Sequence, residues 1–186
     1  MLVLLQPIGL IEKTVLDYLS ENLSKVYLNI DFLVAEPVSL NERFFDKSRG
    51  QYFSPLILAF LRRYADELVP HNYDKILGIM NADAYSNGLN FVFGEAELGG
   101  RVAIVYLKRL STAFYGLSEN YQLFLLRCLK EAVHELGHTL GLRHCAVRRC
   151  VMHFSNSIID TDFKDYRFCG RCSRILGSRG ITVAAF

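Results

Sequence analysis

The chain has 186 residues, 51% of them apolar and 22% charged, with a net charge of +2. That length suits one domain with a sizeable core and is short for two, and the composition, free of low-complexity tracts, excludes a largely disordered chain. No apolar run approaches the roughly 18 residues a spanning helix requires, and MLVLLQPIGLIEKTV lacks the basic flank and small-residue cleavage site of a signal peptide. A cytoplasmic monomer without membrane association is therefore expected.

Leu2 to Leu5 is a continuous apolar run suited to a buried strand. From Ile8 to Leu23 the apolar positions Ile11, Val15, Leu16 and Leu19 fall at helical spacing. Val26, Leu28 and Ile30 then alternate with Tyr27, Asn29 and Asp31, predicting a second strand and a βαβ opening. Glu36 to Tyr52 is polar, holds Pro37 and Gly50, and predicts a loop with at most a short helical turn. Ser54 as N-cap with Pro55 behind it opens a helix to about Leu68, stopped by Pro70.

Lys75 to Met80 predicts a third buried strand. Leu89 to Gly94 and Val102 to Leu107 flank Gly99-Gly100 and can pair across that turn. Ser118 is a candidate cap for a helix whose stripe is Leu125, Leu129, Val133, Leu136 and Leu140, ending at Gly141. Beyond Gly141 the pattern becomes irregular and rich in Arg and Cys, with one short helix near Cys169 to Leu176. The fold class predicted is α/β: a twisted mixed sheet with helices, residues 1–141 forming an amino-terminal part and 142–186 an irregular carboxy-terminal subdomain of a single domain.

Residues 134–144 have the form HExxHxxGxxH. On a helix, residues four apart differ by about 40° in direction, so His134 and His138 can point at one ion. In a continued helix His144 would lie about 240° round from His138. The helix must therefore turn away, and Gly141 can take the positive φ this needs. Three imidazoles leave a zinc ion one open position, where a bound water has its pKa lowered to about 7. Glu135, about 100° round the helix from His134, is placed as the general base rather than as a ligand. A lone HExxH arises by chance. The extended form, holding three of the chain's five histidines, is far more specific. His71 and His153 have no comparable setting.

Of the five cysteines, Cys128 stands in an apolar helical segment and suits the core. Cys145, Cys150, Cys169 and Cys172 cluster within 28 residues, which in a reducing compartment points to metal rather than disulfides.

HExxHxxGxxH followed by a methionine-bearing turn resembles the metzincin clan of metallopeptidases, with Met152 in the place of the Met-turn. HExxHxxGxxHCxxxxCxM with the later CxxC narrows this resemblance to the archaemetzincins, and Arg49-Gly50-Gln51-Tyr52 and Asn90-Phe91-Val92-Phe93-Gly94 are similar to that family too. The resemblance implies peptide hydrolysis, a hydrophobic floor at Met152, and two zinc ions, the second held by Cys145, Cys150, Cys169 and Cys172. Four thiolates make a closed tetrahedral site, hence a structural one. At the position where some metzincins carry a metal-proximal Tyr this chain has Phe154, so the zinc or another group must stabilise the oxyanion. Metzincins pair an extended peptide with an edge strand, which makes Leu89, Asn90, Phe91, Val92, Phe93 and Gly94 the candidate substrate strand. An ordinary buried strand is the alternative.

From Arg143 onward eight Lys or Arg face three Asp, so the last quarter is +5 and the remainder −3. A solvated basic face explains this asymmetry. The competing reading is nucleic-acid binding by an Arg-rich zinc module (Arg143, Arg148, Arg149, Arg167, Arg171, Arg174), although interleaved aromatics are few. A third reading, a scaffold without activity, sits poorly with an intact Glu135.

Overall fold

A computed structural model of the chain describes residues 1–67 and 73–186; the predicted stop at Pro70, and His71, lie outside them. The chain opens with β1 (Leu2–Ile8), α1 (Lys13–Val26) and β2 (Asp31–Val34). Strands β1 and β2 are parallel, as a βαβ opening requires. The second strand begins later than the alternation of residues 26–31 predicts. Val26 completes the buried stripe of α1 formed by Val15, Leu16, Leu19 and Leu23. Tyr27 then leaves the helix with its ring fully buried, donating its hydroxyl to the Val133 carbonyl at 2.8 Å. Each such buried apolar side chain contributes about 1.5–3 kcal/mol, so burial along the helix overrides the local alternation.

The stretch expected to be loop holds two short strands, β3 (Phe45–Asp46) and β4 (Gln51–Phe53), paired antiparallel. Their turn is an Asp side-chain motif: Asp46 Oδ1 accepts the backbone N–H groups of Ser48 and Arg49, and Gly50 closes it at φ +66°. Helix α2 (Ser54–Glu67) follows. Ser54 is buried and its Oγ accepts the Tyr106 hydroxyl at 2.9 Å. Strand β5 (Lys75–Met80) matches its predicted span.

After β6 (Ala84–Ser86), the single strand predicted over Leu89 to Gly94 is two strands in two sheets. Strand β7 (Leu89–Val92) pairs antiparallel with β6, and β8 (Gly94–Ala96) pairs antiparallel with β9 (Val102–Tyr106). The break falls at Phe93, whose buried ring packs 5.1 Å from that of Phe91 while its carbonyl accepts the Tyr106 N–H. Anchored both ways, the chain changes sheet there. Pairing across Gly99-Gly100 is thus present, made by β8 rather than by the whole predicted run.

The larger sheet has the order β2-β1-β5-β9-β8, parallel except for β8 at its edge, and the smaller has the order β3-β4-β6-β7. Alternate residues of β1 serve two cores. Val3 and Leu5 join α1 and α3 on one face; Leu4 and Ile8 join α2 on the other. Helix α3 (Tyr121–Thr139) is capped by Asn120, whose Oδ1 accepts the Leu123 N–H at 3.0 Å, and not by Ser118, whose carbonyl is bound by the Thr112 hydroxyl. Two short helices complete the chain, α4 (Ile158–Phe163) and α5 (Gly170–Gly177). The second of these is the predicted one. The first was not predicted; Ser157 and Asp160 open it with a reciprocal capping box. Phe168, Leu176, Ile181 and Val183 of this last segment share the core of α1 and α3.

Candidate metal centre and cleft

Helix α3 ends in a Schellman turn. The Gly141 N–H bonds the His138 carbonyl and the Leu142 N–H bonds the Gly137 carbonyl, with Gly141 at φ +88°. The turn redirects the chain so that His144 comes back over the helix. The ring centroids of His134, His138 and His144 lie 4.6, 4.8 and 5.4 Å apart, and one nitrogen from each falls within 4.8 Å of the others.

Two of these rings have their free nitrogen defined by what the other nitrogen binds. His134 Nδ1 is 2.8 Å from the Val151 carbonyl and His138 Nδ1 is 2.8 Å from the Leu142 carbonyl. A carbonyl only accepts, so both Nδ1 atoms carry the proton and both Nε2 atoms present bare lone pairs. Those two Nε2 atoms face each other at 3.0 Å. Facing lone pairs repel unless a cation lies between them, and two nitrogens about 2.0–2.1 Å from one zinc stand at comparable separation. Burial lowers the proton affinity of all three rings, that of His144 to about 4, so they are neutral near pH 7. The residues present fit a metal ion.

Met152 is fully buried beneath α3, and Gly137 makes room for it: a Cβ at Gly137 would collide with the Met152 sulfur. Glu135 is buried at the cleft wall, its carboxyl pushed well above the ordinary range by burial first and by the Glu131 carboxylate second. It stands against the start of β8. A Cβ at Gly94 would lie 2.5 Å from Glu135 Cγ and 2.6 Å from Oε1.

A cleft of about 560 Å³ runs over this group. All six residues of the predicted substrate strand, Leu89, Asn90, Phe91, Val92, Phe93 and Gly94, line it, followed by Glu95 and Ala96 of β8. Across from them stand the three histidines, Glu131, Glu135, Arg143 and Phe154. Glu131 lay within reach of the sequence: three residues before His134 and four before Glu135, it shares their helix face. The Phe154 ring packs 4.9 Å from His144. The Arg49-Gly50-Gln51-Tyr52 motif braces the rim, with Arg49 Nη2 and Gln51 Nε2 both donating to the Asn90 carbonyl.

Behind the triad, Cys145, Cys150, Cys169 and Cys172 are buried, unbridged by disulfides, and have sulfurs within 4.8 Å of one another. A tetrahedron of thiolates about 2.3 Å from zinc has edges of about 3.8 Å, and Cys145 and Cys169 stand at 3.8 Å. Cys150 is lowered to about 5, first by a hydrogen bond from the Cys172 thiol and further by backbone N–H groups including that of Cys169. This set also fits a metal. His153 Nδ1 bonds the Cys145 carbonyl at 2.9 Å. Cys128 is a fully buried core residue. Among the carboxy-terminal arginines, Arg148 lies over Phe163, Arg149 and Arg167 pair with Asp165, and Arg143 faces the cleft.

A helix bearing two imidazoles and a carboxylate, completed by a third imidazole past a glycine turn and floored by a methionine, defines a zinc metallopeptidase of the metzincin type. Comparison with known proteins specifies the family. The model of peptidase family M54 matches residues 2–178. The archaemetzincin of Methanocaldococcus jannaschii is 43% identical over 184 residues, covering 99% of this chain and 97% of that protein. Among solved structures, the archaemetzincin of Methanopyrus kandleri superposes with a TM-score of 0.82 at 38% identity, covering 96% of this chain and 94% of that one. A zinc-dependent peptidase from Methanocorpusculum labreanum gives 0.80 at 29% identity, covering 94% and 98%. The chain belongs to peptidase family M54, the archaemetzincins. No helix among the described residues is long and apolar enough to cross a membrane.

Proposed function

We propose that the chain hydrolyses peptide bonds with one zinc held by His134, His138 and His144 and a second, structural zinc held by Cys145, Cys150, Cys169 and Cys172. The observation that carries the reading is the pair of unprotonated Nε2 atoms facing each other at 3.0 Å beside a buried carboxyl. A zinc ion held by His134, His138 and His144 would supply Lewis acidity toward the scissile carbonyl and the attacking water. Glu135 takes the proton of the attacking water and delivers it to the leaving amine, a task its raised proton affinity suits. The edge of β8, continued by β7, aligns the peptide backbone as an added strand and holds the carbonyl over the histidines. Phe154 has no hydroxyl to offer, so its part is to pack His144 in place.

The test is metal analysis combined with peptidase assay. His138→Ala and Cys172→Ser should each lose one zinc per chain, and Glu135→Gln should retain both while losing turnover. Full zinc content in His138→Ala would overturn the assignment of the histidine site.

A further inference from the structure

Helix α4 is held against α3 by two buried cations of α3, Arg127 and Lys130. Arg127 makes a bidentate pair with Asp162, both contacts at 2.7 Å, and Lys130 Nζ donates to the Thr161 and Asp162 carbonyls. These contacts anchor α4 and satisfy the carbonyls at its end.

A third cation, Lys164, adds little to that anchorage. Its side chain is 0% exposed, and its Nζ lies 3.0 Å from Oε1 of Glu131, itself 3% exposed. The contact is Coulombic, without hydrogen-bond alignment, and no acceptor among the described residues takes the ammonium protons. Glu131 Oε1 has the Thr161 hydroxyl as a donor at 2.8 Å. A buried ion pair is commonly no more stabilising than apolar side chains of the same volume, so docking of α4 does not account for this lysine.

Its position relative to the histidines does. Glu131 lies one turn before His134 on α3 and lines the same cleft, with Lys164 in contact with it at 3.0 Å. One helical turn is about 5.4 Å, and between buried groups a charge at that range is little screened by water. A fixed positive charge buried this close to a cation site repels the cation, and a buried carboxylate attracts it.

We propose that Lys164 and Glu131 are electrostatic positioning residues that set how tightly the three-histidine site holds its metal, Lys164 loosening it and Glu131 tightening it. The pair keeps three neutral imidazoles from over-stabilising the ion, which preserves its electrophilicity toward a substrate carbonyl. This rests on reading the triad as a metal site, and His138→Ala tests that reading separately.

The experiment is a zinc titration of the full chain against a competing chelator at fixed pH, with His138→Ala defining the histidine-dependent step. Lys164→Met should tighten that step about tenfold and Glu131→Gln loosen it by a similar factor, the double variant returning toward wild type and Lys164→Arg preserving wild-type affinity. A merely structural pair would give the opposite pattern for Lys164→Met, because both single variants would loosen the site. Loosening in both, or unchanged affinity in the near-isosteric Glu131→Gln, overturns the proposal. If Lys164→Met does not fold, Lys164→Gln, which keeps most of the side chain and removes its charge, takes its place, and tightening is again the result the proposal requires. Should His138→Ala retain its full zinc, the failure lies with the proposed metal site and not with the pair.

Discussion

Gly94→Ala is a perturbation of one methyl group whose effect falls on the proposed general base. The added Cβ would stand 2.5, 2.6 and 2.7 Å from Cγ, Oε1 and Cδ of Glu135, where ordinary contact begins at 3.4 Å. The carboxyl must therefore retreat by roughly 1 Å, and a displacement of that size in a catalytic group lowers turnover about 10²-fold. Overpacking adds about 1–3 kcal/mol of destabilisation. Gly94 does not have positive φ, so backbone strain contributes nothing. The assay is steady-state cleavage of a fluorogenic peptide, with zinc content measured on the same samples. We expect kcat to fall about 10²-fold with zinc retained. If Gly94→Ala keeps kcat within about twofold of wild type while Glu135→Gln is inactive, the contact with β8 does not position the carboxylate and the reasoning is refuted.

Glu135→Gln should lower kcat by about 10²–10⁴-fold, the usual contribution of general acid–base catalysis, with metal content unchanged; stoichiometric zinc with full activity would remove Glu135 from the mechanism. Gly137→Ala drives a methyl into the Met152 sulfur and should cost about 1–3 kcal/mol, read as a lowered Tm; an unchanged Tm would show that Met152 does not depend on that space. The histidine pKa values lie below the ordinary 6.5 in the fold, His144 at about 4. At these three positions the unfolded chain therefore binds more protons than the folded one below pH 6.5, and their contribution to the stability of the metal-free protein falls as pH drops from about 6.5 toward 4. Glu135, raised in the fold, acts in the opposite sense, so thermal denaturation of chelator-treated Glu135→Gln at pH 7 and pH 5 isolates the histidines, and a Tm that holds or rises at pH 5 contradicts the expectation.

The parts of the fold legible in the sequence are those fixed by a single local period. The stripe Leu125, Leu129, Val133, Leu136 names α3, and Gly141 names its end, because helix geometry and one glycine suffice. The histidine triad follows from the same arithmetic. The smaller sheet was not legible. Its strands are two to four residues long, and partners far along the chain fix them, as when Arg49 and Gln51 bind the Asn90 carbonyl. Leu89 to Gly94 carries no local mark of a change of sheet, since the break at Phe93 is set by Tyr106 of β9. Glu131 lay on a readable helix face, but its counter-ion is 33 residues away in a segment without periodicity. The pair exists only once α4 docks.

The cysteine cluster and the histidine triad are mechanically one object, because three consecutive residues serve both. Cys150 carries a sulfur of the cluster, the Val151 carbonyl fixes the tautomer and orientation of His134, and Met152 lies under Gly137 of the helix. On the other strand of this connection, Cys145 adjoins His144 and bonds the Met152 carbonyl through its own N–H. Any expansion of the cluster must displace either His144 or the group holding His134. Arg179 closes the same frame from the end of the chain, donating to the Leu140 carbonyl and leaving no room for a side chain at Gly141. A triad with two imidazoles on a rigid helix and the third on an irregular segment would otherwise have its weakest point at His144, which is exposed at the cleft. The cluster supplies there the rigidity that a second helix would provide, which explains why a carboxy-terminal segment with so little regular structure accompanies a histidine-bearing helix with so much.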